Sequence, residues 1–179
     1  MNSKLQKKIS IKVELLSSIT SLDLADLCNI TEQAVKAGGG FGWLKVPTRD
    51  SLNKYWKGIV LMQNKKLIVG RLNDAIAGAL QLMFQPPNNE AQQKIFNITS
   101  HFIAPWARGY GLAKAMIDRG EMVGKENGAN CVQLDVRETQ EAAIQLFKSK
   151  GYEKWGTNPY YAQVDGKNIK GFYFFKKIK

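Results

Sequence analysis

Ile103-Ala-Pro-Trp-Ala-Arg108-Gly109-Tyr110-Gly111-Leu112-Ala113-Lys114 carries an apolar strand end straight into a helix start through small residues. The first turn of a helix has unpaired N–H groups and partial positive charge, so it attracts a phosphate when no side chain holds the oxygens away. Gly109, Gly111 and Ala113 supply that clearance, and Arg108 and Lys114 add cationic donors. The stretch lacks the third glycine of a dinucleotide fingerprint and the Gly-Lys-Ser/Thr ending of a P-loop. On these residues alone, a helix that needs glycine only for close packing is the alternative.

Upstream, residues 93–104 form the extended run that ends in this turn, and a helix is expected over about 110–126, closed by Gly128. Further upstream, residues 8–16 alternate Ile9, Ile11, Val13, Leu15 as a half-buried strand. Ser21-Leu-Asp-Leu opens an amphipathic helix to about Ala37, and Pro47-Thr48-Arg49-Asp50 starts another that runs to about Met62. Strands over 66–71 and 75–84 flank Leu72-Asn73-Asp74, and Pro86-Pro87-Asn88-Asn89 breaks the second. Downstream come a strand over 130–136, a helix capped by Thr139 and stopped by Gly151, and a hairpin of 152–161 and 171–177 around Asp165-Gly166. The order β-α-α-β-β-β-α-β-α-β-β predicts a single mixed α/β domain over residues 1–179, built on one sheet without internal repeats.

Gly38-Gly39-Gly40-Phe41-Gly42-Trp43 places four glycines in five residues with aromatics around the last, which makes a shaped loop and not a loose linker. Tyr55 and Trp56, at helical spacing, read as core.

The 179 residues carry 26 Lys+Arg against 15 Asp+Glu, a net charge of +11 that favours anionic partners. Lysines dominate and are scattered, unlike the arginine-led surface of a base-reading protein, so most of the charge reads as solvated surface, part of it steering an anionic cofactor. No nucleic-acid partner is expected. Cys28 and Cys131, far apart in apolar segments, read as buried free thiols, and the single His101 argues against a zinc cluster. The basic N-terminus runs into an alternating strand, no apolar run reaches 18 residues, and a cytoplasmic protein without a membrane partner is expected, monomeric or homodimeric.

The segment Ile103–Ala113 resembles the cofactor-binding signature of the Gcn5-related N-acetyltransferases, Arg/Gln-x-x-Gly-x-Gly/Ala preceded by Val-x-Pro, through Arg108, Gly111, Ala113, Ile103 and Pro105. Gln140-Glu-Ala-Ala143-Ile-Gln-Leu146-Phe147-Lys-Ser-Lys-Gly151-Tyr152 is similar to the family's Asn-x-x-Ala-x-x-Leu-Tyr-x-x-x-Gly-Phe helix. Gly38–Leu44, Tyr55-Trp56, Leu134-Asp135 and the Pro159-Tyr160-Tyr161 hairpin look like tabtoxin-resistance-type acetyltransferases.

The resemblance implies a mixed sheet of about seven strands with about four helices, whose central strands splay to form an acetyl-CoA slot. It implies direct transfer of the acetyl group from acetyl-CoA to a primary amine of a small molecule, amino-acid-like or antibiotic-like, with no metal. Protein lysine or N-terminal acetylation and a degenerate acyl-CoA-binding protein are the alternatives. The implied cofactor residues are the backbone of Phe102 and Ile103, the turn Arg108, Gly109, Tyr110, Gly111, Leu112, Ala113 and Lys114, and the downstream Gln140 and Phe147. The sequence departs from the pattern at Phe147 where the family often has Tyr, at Gln140 for Asn, and at Asn97 for an acid on the strand. His101 and Asp135 remain as catalytic candidates: His101 titrates near neutrality unless it is only packed, and Asp135 binds the substrate ammonium unless it caps the next helix. Phe41, Trp43, Tyr160 and Tyr161 would wall the acceptor.

Overall fold

Thr20 begins the first helix by accepting the Asp23 N–H at 3.1 Å while the Asp23 carboxylate takes back the Thr20 amide, a capping box one residue ahead of the Ser21 start. The same carboxylate ion-pairs with Arg71 at 2.7 Å, which ties the helix start to the sheet. The computed structural model describes residues 9–39 and 42–179. Its elements in chain order are β1 (Ile11–Leu16), α1 (Ser21–Lys36), α2 (Arg49–Ile59), β2 (Lys65–Leu72), β3 (Ala75–Phe84), β4 (Ile95–Ile103), α3 (Leu112–Glu126), β5 (Cys131–Arg137), α4 (Glu141–Ser149), β6 (Glu153–Val164) and β7 (Lys167–Lys177). Short 3₁₀ turns at Glu90–Gln92 and Pro105–Ala107 flank β4.

Boundaries move for identifiable reasons. Gly109 and Gly111 sit at φ +86° and +79°, outside the right-handed helix, so α3 starts at Leu112 and not at 110. Thr139 is not the cap of α4: the Gln140 N–H closes a tight turn onto the Arg137 carbonyl at 3.0 Å, which leaves Thr139 inside the turn and Gln140 in the cap position. Thr48 caps α2, which stops at Ile59 as the chain tightens into turns through Met62. Asn73-Asp74 and Asp165-Gly166 both hold two successive positive φ angles, the geometry that matches the twist of a two-residue hairpin.

The strands form one seven-stranded sheet in the order β1-β2-β3-β4-β5-β7-β6. All neighbours are antiparallel except β4 and β5, which run parallel. Helix α3 lies on one face so closely that a Cβ at Gly70 would be 2.7 Å from Leu112 and Met116, and one at Gly124 would be 2.2 Å from the Phe96 ring. On the other face, Trp56 of α2 is fully buried, its indole N–H donates to Thr31 of α1 at 3.1 Å, and its ring meets Phe102. Among the described residues no helix is long and apolar enough to cross a membrane.

The two α3 glycines should respond oppositely to alanine. Gly124→Ala drives a methyl into Phe96 and should lower stability by about 1–3 kcal/mol despite better helix propensity. Gly120→Ala, whose methyl would sit 3.4 Å from Leu82, should be neutral or gain up to about 1 kcal/mol. Urea denaturation of the two variants measures both.

Candidate active site

Strand β4 pairs with β5 only where Ile95, Phe96 and Asn97 meet Cys131, Val132 and Gln133. Beyond Asn97 the two diverge, because β4 carries a bulge: Thr99 pairs with Gln81 but Phe102 with Ala79, three steps on one strand against two on the other. Ser100 absorbs the extra residue at φ +51°. β4 then stays with β3 while Leu134–Arg137 of β5 stay with β7, and a gap opens between them.

The gap is a cavity of about 560 Å³. Side-chain alternation gives it two chemically different sides. Leu134, Val136 and His101 face α4, where Phe147 and Ala143 close the wall. Thr99, Asp135 and Arg137 face the opposite side with Tyr161 of β6, under a rim that includes Gly39, Gly42 and Leu44. Gln140 Nε2 donates to the Gly38 carbonyl at 3.2 Å and so ties the start of α4 to the glycine loop.

The β4 end and the turn after it direct backbone groups toward the gap. The Ala104 N–H bonds to Ala77 of β3 at 2.8 Å, and the alternation of an antiparallel ladder then turns the amide and carbonyl of Ile103 away from β3, toward the gap. Phe102 differs: its ring is buried against Trp56 and it pairs with Ala79. At the head of α3 the cap residue Gly111 brings no side chain, and among the described residues Cβ atoms at Gly109 or Gly111 would meet nothing within 4 Å. Arg108, Gly109, Tyr110, Gly111 and Lys114 are exposed around these amides, and Arg108 lies beside Gly39. An anion there would meet helix amides and a guanidinium with no side chain of the described residues in the way.

For two predicted site residues the structure bears on the alternatives left open by the sequence. The His101 ring lies behind Phe147, and its Nε2, fully shielded, meets no hydrogen-bond partner among the described residues. Burial lowers its pKa to about 4, so the imidazole is neutral near pH 7 instead of titrating there. Asp135 caps no helix; its exposed carboxylate accepts the Tyr161 hydroxyl on the cavity wall. Burial, and then this bond, hold the Tyr161 phenol well above its ordinary pKa, so it stays a donor. Tyr161 keeps its place because a Cβ at Gly171 would be 2.1 Å from its ring.

The aromatic wall is only partly realised. Tyr161 lines the cavity, but Tyr160 is 75% exposed on the outer edge. Trp43 turns from the cavity to pack edge-on against Tyr55 at 4.9 Å, while its neighbours Gly42 and Leu44 form the rim. Phe41 lies outside the described residues. Phe147, only 4% exposed, packs among His101, Tyr152 and Phe174. Sequence reading missed Thr99, Arg137 and Gln163 as lining residues. For Arg137 the signal was available, since residues two apart on a strand share a face and Asp135 was already a candidate.

A neutral buried His101 makes stability fall with acid. The unfolded chain binds a proton near pH 6.5 that the folded chain refuses until about pH 4, so stability present above 6.5 is lost as pH drops through that window. The loss should be about 1–3 kcal/mol, and His101→Gln should flatten this part of a Tm-against-pH curve.

The sequence model of the Acetyltransferase (GNAT) family matches residues 31–152. An uncharacterized N-acetyltransferase of Azospirillum brasilense, encoded in the hisH-hisA intergenic region, is 44% identical over 130 residues, 73% of this chain and 77% of that protein. The fold is shared with an N-acetyltransferase from Staphylococcus aureus Mu50 at TM-score 0.78 and 17% identity, covering 95% of this chain and 99% of the other. It is also shared with yncA of Salmonella typhimurium, solved with its cofactor acetyl-CoA, at TM-score 0.73 and 14% identity over 94% of each chain. A split sheet beside an uncapped, glycine-cleared helix start is thus found in a chain whose sequence matches this family over most of its length, and the protein belongs to the GNAT family as an acetyl-CoA-dependent N-acetyltransferase.

Proposed function

We propose that the acceptor is the primary amine of a small molecule, amino-acid-like or antibiotic-like as in the tabtoxin-resistance-type enzymes, and that it enters the gap on the Asp135 side. The cavity carries this reading: about 560 Å³, bounded by strand ends, α4 and the glycine loop, is the size of a small-molecule site. Bound acetyl-CoA supplies an activated acyl group whose thiolate, with a thiol pKa near 8.5, leaves without a strong acid. That suits Phe147, which offers no hydroxyl.

The chain's own groups divide the remaining work. Amides of Arg108–Ala113 hold the pyrophosphate, and the backbone of Ile103 aligns the arm toward the gap. Asp135 attracts the acceptor's ammonium and takes its proton at a carboxylate oxygen, oriented by the Tyr161 hydroxyl. His101, neutral and shielded, is a poor resting place for a proton. A new N–C bond forms as the C–S bond breaks; of the two protons that leave the ammonium, one passes through Asp135 to solvent and the other balances the proton that the thiolate regains from solvent.

Thiol release measured with a panel of small amines and of peptides tests the reading: turnover with small amines and none with peptides is expected, and the reverse overturns it. Asp135→Asn should lower kcat/KM for the best acceptor by about 10² to 10⁴ while leaving CoA binding intact. Calorimetry should show CoA binding that Gly111→Glu abolishes by adding like charge at the phosphate. Gly111→Asn, which tolerates the left-handed backbone at φ +79°, should retain measurable binding.

A further inference from the structure

We infer that the acceptor carries a carboxylate beside its amine, and that Arg137 binds this carboxylate while Asp135 binds the ammonium. The inference rests on the small-molecule reading above and names its substrate class. Asp135 and Arg137 alternate on β5, so they share the face opposite Leu134 and Val136, with backbone positions about 6.6 Å apart. Both line the cavity, as does Tyr161, which donates to Asp135 and lies close enough to Arg137 to feel its charge. One wall therefore presents an anion, a hydroxyl and a cation in a row, a pattern complementary to a zwitterion and not to a simple alkylamine.

The charges of the molecule point the same way. A guanidinium fork matches the two oxygens of a carboxylate. An acceptor bearing only ammonium groups would approach a protein of net charge +11 against its field, and would place a cation beside Arg137 as well as Asp135. A carboxylate on the acceptor removes both penalties. Asp135 is also held in register for the pair, since Tyr161 is seated across Gly171, where no side chain could fit beneath it.

The test uses matched acceptors that differ by the carboxylate alone: leucine against isoamylamine, phenylalanine against phenethylamine, lysine against cadaverine. Wild type should prefer the acid in at least one pair, and Arg137→Gln should lower the ratio of kcat/KM for acid over amine by about tenfold to a hundredfold, mostly through KM. Arg137→Lys, which keeps the charge without the fork, should restore part of that ratio and guards against a folding defect. Equilibrium binding of the preferred acid to the CoA-loaded protein should weaken in the same order. A wild-type preference for the decarboxylated amines, or a ratio that Arg137→Gln leaves unchanged, overturns the inference and leaves the small-molecule reading standing. Turnover of peptides alone overturns both.

Discussion

One extra residue in the central strand organises this molecule. Between Gln81 and Ala79 of β3, β4 uses three steps from Thr99 to Phe102, with Ser100 in a left-handed conformation that L-residues adopt at a cost of about 1–3 kcal/mol. A bulged strand bends and twists, so β4 cannot follow both neighbours. It keeps its ladder with β3, abandons β5 after Asn97, and exposes to the gap backbone groups that would otherwise be paired.

The surrounding packing keeps that opening from collapsing. On one side α3 lies in contact with the sheet because Gly70 and Gly124 leave room for Leu112, Met116 and Phe96. This close seat aims the uncapped end of α3 beside the last residues of β4. Helix α4 closes the gap with Phe147, whose neighbours Tyr152 and Phe174 anchor it to the core. An ionic cluster of Glu121, Lys176 and the Tyr152 hydroxyl joins α3 to β7 behind it. The opposite side is held by Trp56, buried between α1 and the sheet, and by Tyr55, which accepts a hydrogen bond from Gln81 at 2.7 Å.

Electrostatics divides the cavity in the same way. His101 sits where burial strips its charge and no hydrogen-bond partner meets its Nε2 among the described residues, so that end presents a neutral ring beside Phe147. Asp135, Tyr161 and Arg137 line the other side, where the exposed Asp135 carboxylate accepts the Tyr161 hydroxyl. Transfer between a thioester and an amine needs both: a low-dielectric side for the acyl group and a polar side for the nucleophile's ammonium and its proton.

Local chemistry determined much of this in advance. The glycine-cleared start of α3, the two hairpin turns at Asn73-Asp74 and Asp165-Gly166, the element order and the single-sheet class follow from backbone freedom and side-chain periodicity, which act over a few residues. Helix starts were displaced by a residue or two wherever a turn competed with a cap, as at Thr139. What only the tertiary structure decided are quantities set by contacts distant in sequence. His101 lost its neutral-range titration to burial in the assembled fold, with the ring of Phe147, 46 residues away in the chain, beside it, and Asp135 found Tyr161 across two intervening pairings of the sheet. Trp43, set in glycine as though for a ligand, packs its half-buried ring against Tyr55 because apolar area is more stable against an aromatic wall than beside a polar cavity. Burial and partnership belong to the folded assembly of strands, and no window of sequence contains them.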